Sequence, residues 1–149
     1  MMTLPAFTPI GNLPPGEHIV SWTEFEARYG YNPGRAAILH LIKDWLTHMR
    51  HAGCRTAYID GSFVSKKENP GDYDACWDAT GVDANRLDRA LLDQTATGRQ
   101  MIKQRLGGDI RPDMVCPPGS ILPYLRFFQK DRDGNAKGVV RLNLREFTP

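Results

Sequence analysis

The chain contains no apolar run approaching the roughly 18 residues of a membrane span, so no membrane partner is expected. Cysteine is scarce: Cys54, Cys76 and Cys116 are odd in number and widely spaced. That argues against a disulfide framework and for a reducing, cytoplasmic setting. Neither sign of charge dominates, with 19 Lys and Arg against 17 Asp and Glu and a net charge of +2. There is accordingly no global pull toward nucleic acid, no DNA partner is expected, and any basic surface must be local. The opening stretch, "MMTLPAFTPIGNLPPGEH", has no Lys or Arg and is broken by prolines, which makes it a poor signal peptide. A Gly-Lys-Thr loop, a Ser-His-Asp order and a Cys-x-x-Cys pair are all missing. Their absence removes the P-loop, triad-hydrolase and thioredoxin-like readings.

What remains is an ordinary soluble composition, 41% hydrophobic and 24% charged over 149 residues, enough for one domain with a real core. Residues 1–20 hold four prolines and two glycines and read as an extended N-terminal arm; residues 21–149 read as one domain. Ser21 and Glu24 have capping-box spacing and Gly30 is a stop, predicting a helix over 22–29. Asn32 and Pro33 then open a second helix, in which Ile38, Leu41, Ile42, Trp45 and Met49 recur at helical spacing until Gly53. "RTAYID" and "YDACWD" read as strands, "VDANRLDRALLDQ" and "ATGRQMIKQRL" as helical pieces. A third strand is expected in "GGDIRPDMVC", a helix in "SILPYLRFFQ", a turn in "DRDGNAKG" and a last strand in "VVRLNL". This order implies an α+β (mixed α/β) fold, a small mixed sheet packed with helices.

The chemistry concentrates in "YIDGSFVSKKENPGDYDACWD". Asp72 and Asp74 share one face if this is a strand, with Cα atoms roughly 6–7 Å apart at about 3.3 Å per residue. Like charges so placed repel unless something positive lies between them. Mg²⁺ (or Mn²⁺) is the expected guest, since it takes oxygen ligands from one or two carboxylates and substrate phosphates. Tyr73, Ala75 and Trp77 face the other way, toward the helices. Gly61 and Ser62 follow the first strand directly, where a glycine lets a phosphate approach the backbone N–H groups and Ser62 can donate to it. Lys66 and Lys67 lie in the loop between, where they could balance phosphate charge; the competing reading is that they are simple surface lysines. The competing reading of "NPGD" is plain turn chemistry, and Asp78 reads as a loop cap. His48, His51 and Cys54 stand at zinc-like intervals without an evident fourth ligand; they also suit a helix C-terminus. Phe127 and Phe128 beside Arg126 and Lys130 read as core or partner-facing rather than base-stacking.

These residues resemble the nucleotidyltransferase superfamily related to DNA polymerase beta, whose pattern is an apolar residue, Gly-Ser or Gly-Gly, a short spacer, and Asp-x-Asp on a strand. Here nine residues separate Gly61-Ser62 from Asp72-Tyr73-Asp74. The longer text "GCRTAYIDGSFVSKKENPGDYDACWD", "RLGGDIRP" and "FFQKDRDGNAKGVVRLNL" is similar to a family of short uncharacterised bacterial proteins grouped with the minimal nucleotidyltransferases, over about residues 13–144. The resemblance implies the nucleotidyltransferase fold and a third carboxylate from a neighbouring strand. Asp109 is favoured for it and Asp113 is the alternative.

The expected activity is Mg²⁺-dependent transfer of a nucleoside monophosphate from an NTP to a hydroxyl. Gly61, Ser62 and Lys66 would hold the nucleotide, and Asp72, Asp74 and Asp109 the metal. The expected acceptor is a small companion protein, a tRNA or another RNA, as in toxin–antitoxin or defence modules. The alternative is a catalytically inactive binding module of the same fold, antitoxin-like or nucleotide- or RNA-binding.

Overall fold

In a computed structural model, which describes residues 4–115, 123–130 and 133–147, the chain forms one five-stranded mixed sheet with four helices. The helices are α1 (Trp22–Tyr29), α2 (Pro33–His51), α3 (Ala96–Leu106) and α4 (Tyr124–Phe127). The strands are β1 (Gly16–Val20), β2 (Thr56–Asp60), β3 (Tyr73–Trp77), β4 (Gly108–Pro112) and β5 (Gly138–Asn143), in spatial order β1-β5-β2-β3-β4. β1 runs parallel to β5 and β3 to β4, while β2 is antiparallel to both of its neighbours. Cys116, residues 120–122 of the expected "SILPYLRFFQ" helix, residues 131–132 of the expected turn and the side chain of Phe127 lie outside the described residues.

The caps follow the sequence. The Ser21 hydroxyl accepts from the Glu24 N–H at 3.2 Å and the Asn32 side chain from the Arg35 N–H at 2.8 Å, satisfying donors that a helix start leaves open. Thr95 caps α3 in the same way, and left-handed Gly107 (φ 75°) ends it.

Two expectations change. Residues 1–20 are not all arm. Beyond Pro15, "GEHIV" is free of proline and becomes the edge strand β1, paired with β5, and Leu4 and Leu13 are buried in the core. "VDANRLDRALLDQ" is helical only as two short 3₁₀ turns, Ala84–Arg86 and Arg89–Leu92. Asp83 and Asp88 each accept the backbone N–H two residues on, at 3.0 Å. Such local side-chain bonds compete with a continuous helix.

The sheet has unlike faces. Ala57, Ile59, Tyr73, Ala75, Trp77, Ile110, Val140 and Leu142 form one core with the α1 and α2 stripes, and the Tyr73 ring lies 6.3 Å from that of Trp45. Tyr58, Cys76 and Val139 point the other way and meet Tyr124, with Leu125 and Phe128 packed alongside. The alternation that buries one set on helices puts the aspartates on the second face.

Candidate active site

The register across three strands assembles the acids. Asp60 of β2 stands opposite Asp74 of β3, and Asp74 stands beside Asp109 of β4. Three carboxyl groups therefore form one row across the sheet. Asp72 sits just ahead of β3 rather than within it and joins the row from its end. Asp113 does not join. It follows Pro112, the partner of Trp77, at the opposite end of β4, where its N–H donates to the Trp77 carbonyl at 2.9 Å.

Two hollows meet on Asp72, Asp74 and Lys103. The larger, about 760 Å³, is lined also by Gly61, Ser62, Lys67, Gly71 and Lys137. The smaller, about 370 Å³, takes in Asp109, Gly108 and Arg111 and the α3 residues Ala96, Arg99 and Gln100. Asp72 pairs with Lys103 at 3.1 Å and Asp109 with Arg111 at 2.7 Å. Gly61 stands at φ +74°, and a Cβ there would fall 2.1 Å from Asp74 Oδ2. Only glycine takes that backbone conformation easily and leaves room for the carboxylate above it.

Burial and mutual repulsion shape the protonation. Burial, then the charges of Asp72 and Asp109, push the Asp74 carboxyl up to about 6. Asp60 is 1% exposed, its Oδ1 has no hydrogen-bond partner, and burial followed by Asp74 raises it well above the carboxylate range. An unpartnered buried carboxyl is costly.

The loop after Gly61 is tied to the start of α2 by a wholly buried arginine. Arg35 Nη1 donates to the carbonyls of Phe63 (2.7 Å) and Tyr29 (3.3 Å), Nη2 to those of Ser65 (3.0 Å) and Lys67, and Nε to that of Lys67 (3.2 Å). Asn32 Nδ2 donates to the Glu68 carbonyl at 2.8 Å and the Tyr29 hydroxyl to that of Val64 at 3.2 Å. This fastening sets where Ser62 and Lys67 stand relative to the aspartates.

Of the residues singled out in the sequence, Gly61, Ser62, Asp72 and Asp74 line the larger hollow, and Asp72, Asp74 and Asp109 the smaller. Lys66 lines neither: its N–H donates to the Gly11 carbonyl at 2.8 Å, and it lines a separate hollow with Pro9, Ile10 and Asn12, which Lys67 also borders. Lys67 takes its place at the acids, joined by Lys103 and Lys137. Asp78 is a loop cap, accepting from the Thr80 N–H at 2.9 Å. His48 Nε2 accepts from the Asp88 N–H at 3.0 Å, and the Cys54 thiol donates to the carbonyls of Thr56 and Asp78. These contacts leave the zinc reading without support. Asp60 and Arg35 were missed. The signal for Asp60 was available, since it occupies the position before Gly61 where the resembled pattern carries an apolar residue. Arg35 read as one more polar position on a helix.

The oxygen donors of Asp72, Asp74 and Asp109 suit a hard cation. As placed, however, no group of three or more His, Cys, Asp or Glu among the described residues is drawn together as a metal cage. Lys103 and Arg111 occupy two of the acids instead. A cation would have to displace them. No helix among the described residues is long and apolar enough to cross a membrane.

The fold is thus an α+β domain with an acid row on the face of a mixed sheet turned away from α1 and α2. The chain belongs to a family whose model matches residues 5–143 and whose description is "Family of unknown function (DUF6932)". No curated protein and no solved structure matches it.

Proposed function

We propose that this is a metal-dependent nucleotidyltransferase, which transfers a nucleoside monophosphate from an NTP to an acceptor hydroxyl. The observation that carries the reading is the junction of Gly61-Ser62 with the Asp60–Asp74–Asp109 row, where a glycine at φ +74° seats the Asp74 carboxylate. The resemblance of the Gly-Ser and Asp-x-Asp spacing to the polymerase-beta-like superfamily supports it independently.

In this reading the triphosphate lies in the larger hollow, against the backbone of Gly61 and Ser62. Lys67 and Lys137 offset its charge there. Asp72, Asp74 and Asp109 would hold Mg²⁺, which supplies charge neutralisation at the attacking and leaving oxygens. The acceptor oxygen forms a bond to the α-phosphorus, the α-phosphorus–oxygen bond to pyrophosphate breaks, and the acceptor proton passes to Asp109 and on to water. Asp109 has this role because it alone of the three lines only the smaller hollow, across Asp74 from Gly61 and Ser62. The protein's contribution is positioning and electrostatic complementarity, which is what phosphoryl transfer requires.

The test is to incubate the protein with each α-labelled NTP, Mg²⁺ or Mn²⁺, and total RNA or lysate, and to look for a labelled product. Asp109→Asn is expected to abolish labelling while sparing most NTP affinity, because the interaction lost belongs to the transition state. Asp113→Asn is expected to keep it. No labelled product with any NTP, even with the neighbouring gene product added, would leave the inactive binding module as the reading.

A further inference from the structure

We propose that a further hollow, at the corner of the sheet where β1 and β5 end and β2 begins, binds the phosphate group of a small organic phosphate. It measures about 270 Å³ and is lined by Ile19, Arg55, Thr56, Arg141, Asn143 and Arg145. Strand pairing builds it. Arg141 stands beside Ile19, and Asn143 stands opposite Thr56. Their chain neighbours Val20, Ala57, Val140 and Leu142 lie in the core, so these four side chains share the face turned away from α1 and α2. Arg55 directly precedes β2 and Arg145 follows β5. The Leu144 N–H donates to the Arg55 carbonyl at 2.9 Å, which fixes the two arginines at one end of the sheet.

The lining holds donors and no acid. The side chains of Arg55 and Arg145 are exposed and make no ion pair or hydrogen bond among the described residues. Arg141 has Glu17 at 3.7 Å, well beyond the roughly 2.7–2.9 Å of a strong charge-assisted bond. Asn143 Oδ1 accepts from the Arg145 N–H at 3.0 Å, which leaves its amide NH₂ as a donor. Thr56 adds a hydroxyl. Three like charges gathered by register repel, and one distant glutamate offsets only part of that. A phosphate monoester brings nearly two negative charges and three acceptor oxygens, which planar guanidinium groups take in pairs. A lone carboxylate leaves more of the charge unmet. Ile19, 63% exposed, offers the organic part an apolar wall. The volume is below the roughly 300–1,000 Å³ of sites for drug-sized ligands, so the ligand is small. Thr56 begins β2 and Asp60 ends it, which sets the hollow about 13 Å from the acid row at roughly 3.3 Å per residue. The site is therefore separate from the proposed chemistry and does not rest on that reading.

The experiment is calorimetric titration of the full chain, free of divalent cations and at low salt, with ribose 5-phosphate, inorganic phosphate, citrate and ribose. Ribose 5-phosphate is expected to bind most tightly, inorganic phosphate more weakly and ribose not at all, with affinity falling as salt rises. Arg55→Gln/Arg145→Gln is expected to weaken ribose 5-phosphate binding about tenfold or more. Both side chains are exposed, and an unchanged melting temperature without ligand confirms that this variant folds. Lys67→Gln/Lys137→Gln, in the hollow beside Gly61, is expected to bind ribose 5-phosphate as wild type does. Absence of phosphate binding, or binding indifferent to the arginine pair, would overturn the inference. So would loss of binding in the lysine variant instead, which would place the phosphate beside Gly61. Citrate binding as tightly as ribose 5-phosphate would overturn the phosphate class. A short single-stranded RNA that needs the arginine pair, where ribose 5-phosphate does not bind, would overturn the small ligand in favour of a strand.

Discussion

β3 and β4 carry a pair of aspartates at each end, and the two ends behave differently. At one end Asp74 lies in register with Asp109; at the other Asp113 stands beside Asp78. Asp74 and Asp113 are both pushed up to about 6, in each case by burial first and a neighbouring aspartate second. A perturbed carboxyl therefore does not distinguish the two, although such groups gather at functional sites. The surroundings do. The Asp74 end opens into two hollows lined by Lys67, Lys103, Lys137, Arg99 and Arg111, and it adjoins a glycine that no other residue replaces without strain. At the other end Asp78 spends its carboxylate on the Thr80 N–H. Neither Asp78 nor Asp113 has an ion-pair partner among the described residues. The cationic rim and the bare backbone beside it are what set the Asp74 end apart.

The sharpest way to break this comparison is to remove the acids at each end in turn. Asp72→Asn/Asp74→Asn is expected to abolish nucleotidyl transfer and the rise in melting temperature that Mn²⁺ produces through linkage. Asp78→Asn/Asp113→Asn is expected to keep both, with a shift only in baseline stability. Equal Mn²⁺-induced shifts in wild type and the first variant would erase the distinction between the ends.

Gly61→Val comes next. The side chain meets Asp74 Oδ2 and must adopt φ +74°, which costs roughly 1–3 kcal/mol in backbone strain before any clash is relieved. Chemical denaturation is expected to show that loss, and ATP titration with Mn²⁺ a larger one, because the displaced carboxylate is part of the site. A variant that unfolds less readily than wild type would contradict the geometry.

The pH dependence tests the feature that the two ends share. Asp74 and Asp113 titrate near 6 when folded and near 3.9 when unfolded. Between those values the folded state binds more protons, so metal-free stability falls as pH rises from about 4 to 6. Each contributes at most about 3 kcal/mol. Either Asp74→Asn or Asp113→Asn is expected to flatten part of the slope in melting temperature against pH. Mn²⁺ is expected to recover stability above pH 6 only where Asp74 is intact. A slope of the opposite sign would mean that the two carboxyls are not buried as described.

The smallest expected effect is that of Ser62→Ala. Loss of one charge-assisted bond to a phosphate is expected to weaken ATP binding by about 1–3 kcal/mol, with melting temperature almost unchanged, as measured by calorimetric titration.

Much of this was open to reading from local chemistry. The caps at Ser21 and Asn32, the apolar stripe of α2, the strands around Tyr58 and Ala75, and the grouping of Gly61, Ser62, Asp72 and Asp74 depend on residues close in the chain. Periodicity and spacing report those interactions directly. Asp109 against Asp113 was a different kind of question. Both lie near one short strand, and the choice rests on which end of β4 meets Asp74. That register is set by pairing between segments more than thirty residues apart. The same holds for Asp60, unremarkable until β2 lies beside β3, and for Lys67, which borders the hollow beside Gly11 with Lys66 but alone of the two also reaches the acids. Arg35 is the extreme case. Its guanidinium is satisfied by backbone carbonyls of residues 63–67, and backbone carbonyls carry no side-chain signature that a sequence can display. Local pattern specified which pieces would form and what chemistry they carried. Long-range strand pairing and loop fastening, which bring distant residues to one face, settled which of those groups share a site.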